Sequence, residues 1–186
     1  MDFEFIPVNL LAGEHKRPEF LRLNPAGKVP VLVDGNRVIP ESAAIVLYLA
    51  ARFPEKALLP GDLGQRAEVY RWLMFAVTEL EQPLWRISKH TALYPPAKRL
   101  PADIALAKEE FFAMAAILDA HLAGRQFIVG DRITAADCVT AYVIDWADEA
   151  RLLDDFAHLR EYLSRMYGRS TAPKRIAEAF REIRAA

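Results

Sequence analysis

Glu41 and Ser42 stand at the head of an apolar stretch, Ala43 to Arg52, that reads as a helix. The first backbone N–H groups of a helix have no partner within it, so a hydroxyl beside the positive end of the dipole can help to hold an anion. Glu41 has the charge to meet a cation nearby. The same pair also fits a plain helix cap with its carboxylate in solvent, and both readings stand. Lys28, just before the Val29-Pro30 dipeptide, adds a positive charge; alone, it is an ordinary surface lysine. His90, His121 and His158 lack the paired spacing of metal ligands, which leaves them surface or helix-packing roles. The single cysteine, Cys138, rules out an internal disulfide and a Cys-x-x-Cys redox pair. A lone helical cysteine is ordinarily a small buried hydrophobe, so thiol chemistry here would need sulfur from elsewhere.

The elements that must position these residues fall into two groups. In the first, Phe3, Phe5 and Val8 suggest a strand interrupted by Pro7, and HKRPEFLRLNP reads as a short helix. Val31 to Val33 and Val38 to Ile39 flank Asp34-Gly35-Asn36, a hairpin signal because such residues tolerate the positive φ of a tight turn. The helix after it is apolar enough to predict burial on more than one side, and Pro54 stops it. Pro30 opens the first hairpin strand, where a missing amide hydrogen is tolerated, and by itself reads as an ordinary trans proline. The expected unit is βαββα over residues 1–54. A linker is expected over 55–65, which holds Pro60, Gly61 and Gly64.

Residues 66–186 read as all helical. Val69, Leu73, Ala76, Val77 and Leu80 recur at spacings of three and four, with Pro83 expected to kink or divide that helix. Ile104, Phe111, Ala115, Leu118 and Leu122 mark the next, ending at Gly124. Further helices are expected from Thr134, Phe156 and Pro173. Thr134 and Asp137 have the spacing of a capping box, a folding device rather than a chemical one.

The chain has 186 residues, 53% of them hydrophobic, enough for a core, and 24 basic against 25 acidic side chains. That balance provides no field to draw in nucleic acid or an anionic membrane nonspecifically. Its apolar stretches are broken well short of the roughly 20 residues that cross a bilayer. With no basic-then-apolar leader at the N-terminus, the expected location is cytoplasmic.

The segments NPAGKVPVLVDG, ESAAIVLYLAARFP and FIVGDRITAADCVTAYVI together resemble the cytosolic glutathione S-transferase family, over nearly the whole chain. The resemblance implies an α+β, thioredoxin-like N-terminal domain that binds glutathione, followed by an all-α domain lining the site of a hydrophobic electrophile. It implies that Pro30 is cis and that the amide and carbonyl of Val29 pair with glutathione as with an added strand. Glu41 and Ser42 would then hold the γ-glutamyl end. Lys28, and in some classes a histidine at the position of His15, would meet the glycine carboxylate. A homodimer is implied as well. The family's first strand and helix, with the Ser, Tyr or Cys that activates the thiol, precede anything in this sequence, so no catalytic residue is assigned and the N-terminal domain reads as truncated. The expected function is to bind glutathione and, in full-length form, to conjugate its thiolate to an electrophile. The alternative is a non-catalytic dimeric glutathione-binding or scaffold protein of the same fold.

Overall fold

The computed structural model describes residues 2–185, with side chains through residue 182. The chain divides into two compact units, Met1–Phe53 and Pro54–Ala186.

In the first unit a single 3-10 turn, Glu14–Lys16, leads into α1 (Pro18–Leu23), then β1 (Val31–Asp34), β2 (Arg37–Pro40) and α2 (Ser42–Arg52). β1 and β2 form an antiparallel ribbon in the register Val31 to Pro40 and Asp34 to Arg37. Gly35 takes the positive φ, 58°, that closes the turn between them. One face of α2 is fastened to the ribbon through Asp34, whose carboxylate accepts from the Tyr48 hydroxyl at 2.5 Å and pairs with Arg52 at 3.1 Å. Tyr48 and Arg52 lie one helical turn apart, so both reach the same acceptor. The phenol of Tyr48 is pushed up in pKa, first by this hydrogen bond.

Two expectations for this unit change. Residues 2–9 form no strand, and Phe3, Phe5 and Ile6 are exposed. Alternation makes a strand only where a neighbour supplies ladder partners, and among the described residues β1 and β2 pair only with each other. The apolar face of α2 is half-buried rather than enclosed, with only Ala50 fully covered.

In the second unit, α3 (Leu63–Phe75) and α4 (Glu81–Ser88) form one continuous helical rod, followed by α5 (Pro101–Leu122), α6 (Ala135–Glu149), α7 (Ala157–Tyr167) and α8 (Ile176–Ala185). Pro83 does not break the rod. The turn before it widens so that the Glu81 N–H reaches the Ala76 carbonyl, five residues back, which eases the crowding a proline ring imposes on the preceding turn. Val69, Leu73 and Leu80 of the rod and Phe111, Ala115, Leu118 and Leu122 of α5 are buried, as their spacing predicts. Each large side chain among them contributes about 1.5–3 kcal/mol by leaving water.

The segment before α3 is tied to this unit, because the Leu58 carbonyl accepts the Ala135 N–H at 2.9 Å and Pro60 accepts from Arg66 at 2.9 Å. Two carboxylates cap helices from neighbouring ones: Asp119 accepts the Leu159 N–H at 2.9 Å, and fully buried Asp145 accepts the Ile176 N–H at 2.8 Å and Arg175 Nε at 2.6 Å. No helix among the described residues is long and apolar enough to cross a membrane.

Candidate functional site

The candidate residues of the first unit lie at the two chain segments that leave one end of the β1–β2 ribbon. Because Val31 faces Pro40, residues 28–30 enter β1 at the same end where β2 runs out into Glu41 and Ser42. The Val29-Pro30 peptide bond is cis, as the resemblance implies. Val29 is 42% exposed, and among the described residues neither its amide nor its carbonyl is hydrogen-bonded.

Ser42 is the first residue of α2, and the first N–H of that helix to find a partner is that of Ile45, bonded to the Glu41 carbonyl at 2.9 Å. The N–H groups of Ser42, Ala43 and Ala44 therefore remain available at the positive end of an 11-residue helix. Among the described residues no side chain caps them. Glu41 adopts φ 72° and ψ 114°, a conformation that costs a non-glycine residue about 1–3 kcal/mol. The side chains of Glu41, Ser42 and Lys28 make no hydrogen bond or ion pair among the described residues.

The loop that delivers Lys28 is built by residues not singled out in the sequence. Asn24 is buried; its Nδ2 donates to the Lys28 carbonyl at 2.7 Å, its Oδ1 accepts the Ala26 N–H at 3.1 Å, and its carbonyl accepts the Gly27 N–H at 2.8 Å. At Gly27, φ is 61°, and a Cβ would fall 2.9 Å from the His15 carbonyl and 2.7 Å from Lys16 Nζ. The absence of a side chain thus lets the His15-Lys16 turn lie directly against the residue preceding Lys28. The Lys16 ammonium reaches the Ala26 and Gly27 carbonyls at 3.5 and 3.4 Å. His15 Nδ1 is buried without a hydrogen-bond partner among the described residues. A polar residue just before a Pro-x-Gly turn was the available signal for Asn24; for Lys16 there was none.

In the second unit Asp137 and three of the histidines are tied into the fold by hydrogen bonds. Asp137 accepts the Thr134 N–H and hydroxyl at 2.8 and 2.9 Å, the Ile128 N–H at 2.9 Å and the Tyr162 hydroxyl at 3.2 Å. Burial pushes its carboxyl upward in pKa, and these donors oppose that push. Burial and the neighbouring Asp137 push the Cys138 thiol up. His90 accepts the Leu100 N–H at 3.1 Å and faces Asp103 at 3.1 Å, His121 bonds the Ile128 carbonyl at 2.8 Å, and His158 bonds Asp119 at 2.9 Å.

Residues 1–51 match the glutathione S-transferase N-terminal domain and residues 101–165 the glutathione S-transferase C-terminal domain. A glutathione S-transferase of Arabidopsis thaliana is 31% identical over 179 residues, covering 91% of this chain and 83% of its own. The chain belongs to the glutathione S-transferase family. A family member from Xanthomonas campestris is 32% identical, covering 89% of this chain and 81% of its own. Among solved structures, a glutathione S-transferase bound to lactoylglutathione superposes with a TM-score of 0.75 at 27% identity, over 90% of this chain and 83% of its own. The glutathione S-transferase fold thus accounts for both units: a thioredoxin-like α+β unit, followed by an all-helical one.

Proposed function

We propose that the first unit binds glutathione along the edge that begins at Val29, and that the protein, a cytoplasmic homodimer, conjugates the bound thiolate in its full-length form to a hydrophobic electrophile, a detoxifying reaction. The observation that carries this reading is the ribbon register, which brings the backbone of Val29, unpaired among the described residues, and the open first turn of α2 to one end of the same two strands.

Glutathione has matching groups in matching order. Its γ-glutamyl carboxylate suits the N–H groups and hydroxyl at Ser42, and its ammonium suits Glu41. Its cysteinyl N–H and C=O suit the main chain of Val29, as an added strand would. Its glycine carboxylate is left for Lys28 and His15. The reacting sulfur belongs to the ligand, since Cys138 is held as a thiol by burial. The similarity to a fold that holds a glutathione derivative supports the same ligand class here.

Retention on immobilised glutathione tests this assignment. The folded wild type should be retained and eluted by free glutathione, whereas Ser42→Ala and Glu41→Ala should each lose about 1.5–3 kcal/mol of binding, enough to abolish retention. A folded wild type that passes through unbound overturns the reading.

A further inference from the structure

We infer that Asn24 and Lys16 are positioning residues for the glycyl end of the ligand, and that they create a preference for peptide thiols ending in a glycine carboxylate. This rests on the glutathione reading above. Neither residue is needed to touch ligand. Their effect runs through the 24–28 loop, whose last residue, Lys28, supplies the cation.

The main-chain carbonyl of Lys28 is fixed by a 2.7 Å bond from Asn24 Nδ2, and the same side chain fixes Ala26 through its Oδ1. Asn24 is 4% exposed and its own N–H is bonded to the Phe20 carbonyl at 2.9 Å, so the loop is referred to the end of α1 rather than to solvent. A flexible lysine on a free loop would lose most of its attraction for a carboxylate to side-chain and backbone ordering. Holding the Lys28 backbone leaves only the side chain to be ordered. Lys16 adds a second tie from the other side. Its ammonium spans the Ala26 and Gly27 carbonyls, in the space that a Cβ on Gly27 would occupy.

Asparagine is specific to this job, because one side chain must both donate to Lys28 and accept from Ala26. Asp keeps the acceptor but sets an oxygen against the Lys28 carbonyl. Methionine at position 16 keeps the length of lysine and removes the ammonium, on an exposed residue whose loss the fold tolerates.

The test is calorimetric titration of the wild type, Asn24→Asp and Lys16→Met with two ligands, glutathione and γ-glutamylcysteine, which has no glycyl residue and ends in the cysteinyl carboxylate, alongside thermal unfolding of each protein. The wild type should prefer glutathione by about tenfold, the size of one charge-assisted contact. Asn24→Asp should bring the two affinities to within about twofold by weakening glutathione alone, and Lys16→Met should narrow the gap about threefold with its melting point unchanged. Equal weakening of both ligands, or an unchanged preference in folded variants, overturns the inference. If Asn24→Asp does not fold, the Lys16→Met ratio decides alone. A wild type that binds neither ligand defeats the glutathione reading itself, and that outcome is distinct from a wild type that binds both without preference, which removes only the glycyl assignment.

Discussion

Glu41 carries the clearest tension between stability and recognition. Its φ of 72° with ψ 114° is a conformation that glycine enters freely and glutamate does not. Replacing it with glycine should therefore relieve strain in the folded state, offset in part by the greater freedom of the unfolded chain. We expect Glu41→Gly to leave the unfolding free energy unchanged or higher by up to about 1 kcal/mol while abolishing retention on glutathione. Denaturant unfolding with the retention assay reads both; a glycine variant that binds normally would show that the carboxylate has no part in the site. The place of Glu41 and Ser42 at the start of α2 was legible in the sequence, because a polar pair there heads an apolar run. The φ of Glu41 was not, since nothing in its neighbours' types demands it. Asn24 was missed for a related reason: its partners are backbone atoms of Ala26 and Lys28, which no side-chain pattern announces.

Among the elements, α6 has the most demanding start. Thr134 and Asp137 form the capping box that their spacing predicts, yet Asp137 does more than close a helix end, because it also holds the Ile128 N–H and the Tyr162 hydroxyl in a site with no exposure. Removing that carboxylate orphans buried donors on three segments. Asp137→Ala should cost about 3–5 kcal/mol and Thr134→Ala about 1 kcal/mol, measured by urea unfolding. Comparable small losses in both would reduce Asp137 to an ordinary cap. Elements set by local pattern, such as this box and the spacing of Phe111, Ala115, Leu118 and Leu122, could be read in advance. Those set by distant partners could not: the run from Phe3 to Val8 has strand composition but no ladder neighbour among the described residues, and Pro83 is absorbed by a widened turn instead of breaking its helix.

At the scale of the whole molecule, the division into an α+β unit and a helical unit follows from a change in hydrophobic period, from the alternation around the Asp34-Gly35 turn to the three-and-four spacing after Arg66. The helical unit spends its buried carboxylates, Asp137 and Asp145, on helix ends, whereas the first unit leaves a strand edge, a helix start and a lysine without partners among the described residues. On the proposed reading these three unpartnered groups receive one peptide thiol. That reading is tested most directly by a titration of the isotopically labelled whole chain with glutathione, following backbone amides by two-dimensional NMR. The amides of Val29, Ser42 and Ala43 should shift together along one binding curve; saturable binding that leaves Val29 and Ser42 unmoved would contradict that reading.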